Sequence, residues 1–156
     1  MSLIRVKNLS KIYIPSLKAQ KEITDDSVIK ALDNVNLEIE IGDYVAICGP
    51  SGSGKSTLMQ ILGLLDKPSS GTYEFLGHDV SKLNDNTLAF LRSKYIGFVF
   101  QFFNLLSKTS ALDNVKLPLI YAKSANQDEK AKNILKRVGL DNRLYHKPSQ
   151  LSGGQQ

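Results

Sequence analysis

Positions 49–57 read Gly49-Pro50-Ser51-Gly52-Ser53-Gly54-Lys55-Ser56-Thr57, and this stretch decides the fold of the chain. It matches the phosphate-binding pattern G-x-x-x-x-G-K-[ST], which functions between a strand and a helix. Upstream, the apolar run 44–48 predicts a strand buried on both faces. Downstream, the residues Leu58, Ile61, Leu62 and Leu65 recur at helical spacing and predict an amphipathic helix. Strand, glycine-rich loop and helix in this order indicate an α/β fold with a phosphate site.

The residue types of this loop suit a polyphosphate. Glycines at 49, 52 and 54 allow successive backbone N–H groups to turn inward around a phosphate. The helix that begins near Lys55 adds unpaired amides and the positive end of its dipole. We expect Lys55 to reach the β- and γ-phosphates and the Ser56 hydroxyl to hold Mg²⁺. The alternative is a glycine- and serine-rich turn that only joins a strand to a helix, and the complete motif in its complete context disfavours it.

The size and charge of the chain limit what it can be. Its 156 residues suffice for one ordinary domain, and its 42% of hydrophobic residues can fill a core. The apolar runs are too short to span a membrane, and we expect no secretory signal at the N-terminus. The net charge is +5, but the basic residues are scattered, so we expect no nucleic-acid partner. The single cysteine, Cys48, falls in the predicted strand 44–48, where we expect it to be buried in a reducing compartment.

The remaining pattern predicts further elements on both sides of the loop. Alternating apolar and polar residues predict two antiparallel strands joined by a long exposed loop at 14–30. The predicted elements are strands 3–9, 35–40 and 72–76, a helix at 87–93, a buried apolar strand at 96–100 that ends in Gln101, and a helix at 128–138. Another short helix is expected to open at Ser110-x-x-Asp113, a variant of the capping box, and to be perturbed by Pro118.

The last residues are Leu151-Ser152-Gly153-Gly154-Gln155-Gln156. Ser152-x-x-Gln155 has the form of a capping box, which satisfies the first amides of a helix. No helix follows in the sequence, so we expect that the chain was cut at this point.

These motifs together resemble those of ATP-binding-cassette (ABC) transporter ATPases, and the resemblance runs along essentially the whole chain. Leu151-Ser152-Gly153-Gly154-Gln155 looks like the signature motif of that family, Gln101 like its Q-loop glutamine, and Tyr13 like the aromatic residue that stacks on adenine. The stretches 97–101 and 114–119 are most similar to the macrolide-exporter and lipoprotein-release branch. The 14–30 loop looks longer than is usual in that branch.

The resemblance implies a fold and a division of the chain. It implies a P-loop NTPase with an antiparallel β subdomain and a helical subdomain. Residues 1–100 would hold the β subdomain and the phosphate-loop core, and residues 101–156 the Q-loop and the helical subdomain up to the signature motif. The family's strand that ends in Asp-Glu and the strand before its switch histidine would lie past the signature, so we expect an incomplete core sheet.

The resemblance also implies a role for each motif. Tyr13 would stack on the adenine of ATP, residues 49–57 would wrap its phosphates, and Ser56 and Gln101 would complete the Mg²⁺ environment. Gln101 would also sense a membrane permease. Ser152, Gly153, Gly154 and Gln155 would contact the ATP of a second nucleotide-binding domain in a head-to-tail dimer. The protein would lie on the cytoplasmic face of the cell membrane and couple ATP binding and hydrolysis to the transport of a substrate across it, with export as the expected direction.

Two expectations and two alternatives limit this assignment. Without the Asp-Glu pair, we expect the chain to bind ATP but not to hydrolyse it efficiently. Asp66 ends an apolar run that resembles the Asp-bearing strand, but we place it on the phosphate-loop helix, followed by Lys67 rather than an acid. The alternatives are a P-loop kinase or other soluble NTPase, and a non-transport ABC ATPase that acts on nucleic acid or ribosomes.

Overall fold

A computed structural model describes residues 2–14 and 28–156. Its strands are β1 (Ser2–Tyr13), β2 (Ile29–Glu40), β3 (Ser70–Phe75) and β4 (His78–Asp79). Its α-helices are α1 (Lys55–Leu62), α2 (Asp85–Tyr95), α3 (Ala111–Tyr121) and α4 (Gln127–Arg137), followed by the 3-10 turns Asp141–Arg143 and Pro148–Gln150. The chain forms two compact units, an N-terminal unit of residues 1–92 and a C-terminal unit of residues 93–156. The division predicted at residue 100 stays a prediction.

The N-terminal unit is built on one antiparallel sheet with the strand order β2-β1-β3-β4. Val6 lies at its centre, opposite Leu37 of β2 and Tyr73 of β3. The three predicted strands at 3–9, 35–40 and 72–76 are confirmed, and β1 and β2 extend further than their alternation indicated. The strand β4 was not predicted, because two residues are too few to show a period. Most of the predicted 14–30 loop lies outside the described residues.

Helix α1 contributes three apolar side chains to the buried interior of this unit. Leu58, Ile61 and Leu62 are buried, as their spacing predicts, whereas Leu65 is exposed. The helix ends at Leu62, and Leu64 has a positive φ of 57°, so the helical spacing no longer applies to Leu65. Tyr73 is fully buried, and its hydroxyl donates a 2.7 Å hydrogen bond to the carbonyl of Leu62. The sheet therefore holds the end of the helix through a polar contact in an apolar setting.

Replacing Tyr73 with phenylalanine is expected to lower the free energy of unfolding by about 1–3 kcal/mol, because the buried Leu62 carbonyl loses its partner. Urea unfolding measures the change. Exposed Tyr145, replaced in the same way, is the matched control and should have no effect beyond about 0.5 kcal/mol.

Burial also raises the pKa of the Tyr73 phenol well above its usual range. The folded state therefore holds this proton more tightly than the unfolded state, so its contribution to stability is complete below about pH 10 and declines as the pH rises above it. The Tyr73→Phe variant should lack this part of the alkaline decline. A variant with the full decline would show that Tyr73 is not its source.

The C-terminal unit packs α3 against α4 around a small apolar core. Its buried members are Ala111, Leu112, Ala131, Leu135, Leu140 and Leu151. Ser110 caps α3 as predicted, since its hydroxyl accepts a 3.1 Å hydrogen bond from the backbone N–H of Asp113. Pro118 lies inside the same helix. The helices predicted at 87–93 and 128–138 are confirmed as α2 and α4, each displaced by one or two residues at its ends.

Two predictions of buried strands are wrong. Residues 44–48 and 96–100 belong to no strand, and Tyr44 and Val99 are almost entirely exposed. Cys48 is exposed as well, against the expectation that it is a core residue. Apolar β-branched residues favour an extended chain, but a strand also needs a hydrogen-bonded neighbour. Within residues 2–14 and 28–156, the strands that form a sheet are β1–β4, and none of them pairs with either run.

Candidate phosphate site and associated motifs

The loop at 49–57 takes the conformation that its glycines permit. Gly49, Gly52 and Gly54 have φ values of 155°, 81° and 85°. Gly54 is the N-cap of α1, and no side chain caps that helix end. The first turn of α1 carries no acidic residue. The first amides of a helix have no partner within the helix, so this end of α1 presents N–H groups and the positive end of the dipole without a competing carboxylate.

A backbone contact requires glycine at position 54, whereas at position 49 the nearest atom belongs to the rotatable Ser53 hydroxyl. A Cβ atom at Gly54 would lie 2.3 Å from the carbonyl oxygen of Ala31 in β2. A Cβ atom at Gly49 would lie 2.8 Å from the Oγ atom of Ser53, inside the loop itself. At Gly52 a Cβ atom would meet open space, so only the positive φ favours glycine there. The close approach at Gly54 sets the start of α1 directly against β2.

Lys55 lies over the loop that precedes it. Its Nζ atom donates hydrogen bonds to the carbonyl oxygens of Gly49 at 2.9 Å and Pro50 at 2.6 Å, and it lies 3.5 Å from the Oγ atom of Ser53. The Ser53 backbone N–H donates to the Pro50 carbonyl across the same turn at 3.3 Å. The ammonium group and the helix start thus place positive charge on one side of the loop. This arrangement suits an anion such as a phosphate.

The side chain of Ser56 is exposed in the first turn of α1, next to Lys55, and Thr57 follows it. Mg²⁺ in nucleotide sites is held by one or two protein oxygens together with substrate phosphates and water. A hydroxyl beside a phosphate loop fits that mode of binding. Over residues 2–14 and 28–156, no cluster of three or more His, Cys, Asp or Glu side chains could hold a metal by itself. The assignment of Ser56 and Gln101 to Mg²⁺ stays a prediction.

Tyr13 is the last residue of β1 and is joined to a polar cluster. Its hydroxyl donates a 3.0 Å hydrogen bond to the Oδ2 atom of Asp66, and the Nζ atom of Lys11 lies 5.0 Å from the centre of its ring. The same Nζ atom lies 2.7 Å from the Oδ1 atom of Asp66 and 2.7 Å from the Lys67 carbonyl oxygen. Asp66 lies in the turn after α1, so its predicted place on the helix is wrong. Because Asp66 lies beyond the end of α1, its carboxylate contacts residues of β1.

The environment of Asp66 favours its ionised form. Burial by itself raises the pKa of this carboxyl. The hydrogen bonds from Lys11, from the backbone N–H of Lys67 and from the Tyr13 hydroxyl outweigh that effect, so the pKa lies below its usual value. Asp66 is therefore a carboxylate at neutral pH, held between a lysine and a tyrosine.

Gln101 is exposed and follows the apolar run 96–100 in the C-terminal unit. The run was predicted to be a strand that positions Gln101 at its end, and the structure contains no such strand. The rings of Phe98 and Phe100 stack instead, with centroids 5.5 Å apart and planes 4° from parallel. The role of Gln101 therefore remains a prediction from the resemblance.

The motif at 151–155 is held at one end and exposed at the other. Leu151 is buried in the core of the C-terminal unit, whereas Ser152, Gly153, Gly154 and Gln155 are exposed. One half of the predicted capping box is formed, because the Ser152 backbone N–H donates a 3.0 Å hydrogen bond to the Oε1 atom of Gln155. The Gln155 and Gln156 backbone N–H groups both donate to the Ser152 carbonyl, at 2.9 and 3.0 Å. The motif thus begins a helical turn at the surface.

Sequence reasoning missed the residues that support these motifs. Lys11 and Asp66 are 55 positions apart, and no local pattern indicates their contact. Asn114 is another such residue: its side chain accepts from the Leu106 backbone N–H at 2.8 Å and donates to the Ser110 carbonyl at 2.9 Å. It thereby joins the segment after Gln101 to the start of α3. The one signal in the sequence that could have indicated these contacts is an asparagine inside a helix near its Ser cap, because asparagine side chains favour local hydrogen bonds to the backbone.

Comparison with known proteins identifies the family. The family model described as ABC transporter matches residues 32–156. The chain belongs to this family. The predicted class, an α/β ABC ATPase fold with an antiparallel β subdomain and a helical subdomain, is confirmed by a solved ATP-binding cassette. That structure, a dimeric post-hydrolysis state of the cassette MJ0796 bound to ADP and Pi, matches with a TM-score of 0.80 and 43% identity, over 97% of this chain and 64% of that one.

Two curated relatives show how the chain compares with longer proteins. The macrolide export ATP-binding/permease protein MacB of Bdellovibrio bacteriovorus is 53% identical over 131 residues, which are 84% of this chain and 20% of the relative. The ABC transporter ATP-binding protein YknY of Bacillus subtilis is 45% identical over 155 residues, which are 98% of this chain and 64% of the relative. The chain therefore spans less than two thirds of either. In its described residues, no helix has the length and apolar character needed to cross a membrane.

Proposed function

We propose that this ABC-family chain is the ATP-binding part of a transporter that couples ATP binding and hydrolysis to the movement of a substrate across a membrane, in the direction of export. The observation that carries the proposal is the phosphate loop, in which the ammonium group of Lys55 lies over the carbonyls of Gly49 and Pro50 at the uncapped start of α1. Export is favoured by the similarity of the chain to the macrolide export protein MacB.

In this proposal each motif binds one part of the nucleotide. Residues 49–57 surround the phosphates, and a phosphate oxygen replaces the loop carbonyls as the partner of Lys55. Tyr13 stacks on the adenine. Ser56 and Gln101 hold Mg²⁺, which would neutralise charge on the phosphates when bound. These roles rest on the loop geometry for positions 49–57 and on the family resemblance for Tyr13 and Gln101.

Two partners are proposed. The first is a second nucleotide-binding domain, whose ATP would be contacted by Ser152, Gly153, Gly154 and Gln155 in a head-to-tail arrangement. The exposure of these four residues in the described chain agrees with such a contact, and the matching cassette is a dimer. The second partner is a membrane permease, as in the ATP-binding/permease protein MacB. We place the protein on the cytoplasmic face of the cell membrane and expect no nucleic-acid partner.

We further propose that the 156 residues bind ATP without efficient turnover. Hydrolysis in this family would use a strand that ends in Asp-Glu, whose Glu acts on the attacking water. The pair Asp128-Glu129 opens the helix α4 and does not end a strand, so it does not supply that function. Sustained, Lys55-dependent release of phosphate by the purified chain would contradict this proposal.

Thermal unfolding with and without Mg-ATP tests the proposed function. At a hundred times its dissociation constant, ATP should stabilise the unmutated chain by about 2.7 kcal/mol, because it binds the folded state alone. The Lys55→Ala variant should lose most of this gain, since charge-assisted hydrogen bonds to the phosphates disappear. Lys123→Ala is the matched control, an exposed lysine that lies outside the loop.

The outcomes separate clearly. A melting temperature raised by ATP in the unmutated chain and in Lys123→Ala, but not in Lys55→Ala, would support the phosphate site. A cooperative transition that ATP leaves unmoved in all three proteins would mean that the loop does not bind the nucleotide.

A further inference from the structure

The cluster of Lys11, Tyr13 and Asp66 lies outside the phosphate loop but within the same N-terminal unit. Both carboxylate oxygens of Asp66 accept hydrogen bonds. The Oδ1 atom accepts from the Lys11 Nζ atom and from the Lys67 backbone N–H, each at 2.7 Å, and the Oδ2 atom accepts from the Tyr13 hydroxyl at 3.0 Å. The Lys11 side chain is largely buried, with 12% of its surface exposed. A buried ammonium group is costly without a counter-charge, so Lys11 needs the Asp66 carboxylate as its partner. The Tyr13 hydroxyl holds the other oxygen of that carboxylate.

The cluster fixes the Tyr13 ring at its hydroxyl end and covers it with a cation. The Lys11 Nζ atom lies 5.0 Å from the ring centre, within the range of a cation–π contact. Tyr13 nevertheless keeps 38% of its surface exposed. A ring that is tied at its hydroxyl, contacted by a cation and still accessible is poised to stack on a planar ligand.

The sheet connects this ring to the phosphate loop. Tyr13 pairs with Ile29 of β2, and two residues further along β2 the Ala31 carbonyl lies against Gly54 at the start of α1. The same strand pair therefore sets the position of both the ring and the loop. A nucleotide whose phosphates lie at 49–57 would carry its base toward this part of the sheet.

We propose that Asp66 is a positioning residue for the nucleobase: its carboxylate, held by Lys11 and the Lys67 amide, sets the orientation of the Tyr13 ring before the nucleotide binds. The inference rests on the proposed function and deepens it. A side chain that is ordered in advance does not have to be ordered on binding, so binding does not pay the entropic cost of ordering it. Loss of the Asp66 carboxylate should therefore weaken the binding of the base and leave the binding of the phosphates unchanged.

The test compares a ligand that carries a base with one that lacks it. Isothermal titration gives the dissociation constants of Mg-ATP and Mg-tripolyphosphate for the full chain, for Asp66→Ala and for Tyr13→Phe. The phenylalanine variant keeps the ring and removes only its bond to Asp66. Both variants should bind Mg-ATP about 2- to 10-fold more weakly, with tripolyphosphate affinity unchanged. The double variant should be no weaker than the weaker single variant, because both substitutions break the same bond.

Asp128→Ala is the matched control. Its carboxylate also pairs with a lysine, Lys116, at 2.5 Å, but in the C-terminal unit. It should bind both ligands as the unmutated chain does. If Asp66→Ala fails to fold, Tyr13→Phe decides the question alone.

Three results would overturn the inference. Equal weakening of both ligands in Asp66→Ala, with none in Tyr13→Phe, would show that Asp66 only supports the fold. Unchanged ATP affinity in Tyr13→Phe would show that the ring position does not depend on its hydroxyl bond. Equal affinity of the unmutated chain for tripolyphosphate and ATP would show that there is no binding site for the base, while the phosphate loop still binds phosphates. Failure of the proposed function is recognised separately, because the unmutated chain would then bind neither ligand.

Discussion

Replacement of Gly54 with alanine is expected to lower the free energy of unfolding by about 2–5 kcal/mol and to abolish stabilisation by Mg-ATP. Two effects add at this position. The φ of 85° is strained for any residue with a Cβ atom, and that atom would lie 2.3 Å from the Ala31 carbonyl oxygen. Backbone cannot rotate away as a side chain can, so β2 and the start of α1 must separate. Urea unfolding measures the loss, and thermal unfolding with Mg-ATP measures the effect on the site.

Gly52→Ala is the matched control for this prediction. Its φ of 81° is nearly the same, but a Cβ atom there meets no other atom within 4 Å. The expected cost is therefore the conformational strain alone, about 1–2 kcal/mol. If Gly54→Ala and Gly52→Ala lower the free energy of unfolding by the same amount, the contact with Ala31 does not contribute and the backbone strain explains both losses.

Replacement of Ile61 with alanine is expected to destabilise the chain by about 2–5 kcal/mol, the range for large-to-small substitutions in a core. Ile61 is fully buried on the face of α1 that points into the N-terminal unit. Its truncation leaves a cavity beneath the helix that carries Lys55 and Ser56. We therefore expect weaker nucleotide binding as well as a lower urea midpoint, because the helix start is less firmly held.

Met59→Ala separates packing from helix propensity. Met59 lies two residues earlier on the same helix and is 57% exposed. Alanine is the better helix former, so the change in stability should stay within about 0.5 kcal/mol. A loss at Met59 comparable to that at Ile61 would mean that α1 is sensitive to any substitution and that burial is not the reason.

Local signals predicted the elements whose determinants lie within a few residues. The glycines and Lys55 marked the start of α1, and Ser110 marked the start of α3, where its hydroxyl caps the Asp113 amide. Alternation predicted the strands of the antiparallel sheet. These features depend on φ preferences, caps and side-chain periodicity, all of which are determined by residues that are close together in the sequence.

The prediction was wrong where an element depends on a distant partner. The runs 44–48 and 96–100 have the composition of buried strands, yet neither pairs with a strand of the described residues. Asp66 shows the opposite case. It was placed on a helix and given no function, but in the structure its carboxylate joins the segment after α1 to Lys11 and Tyr13 of β1. Neither outcome has a signal in the local pattern.

By itself the sequence determined the nucleotide motif, the family and the helices and strands that local geometry specifies. The conformation of its loop glycines, the position of Lys55 over that loop and the attachment of Tyr13 to Asp66 were decided only by the tertiary structure. The physical reason is that composition sets what a segment prefers, whereas a hydrogen-bonded strand, an ion pair or a buried face exists only when another part of the chain lies beside it.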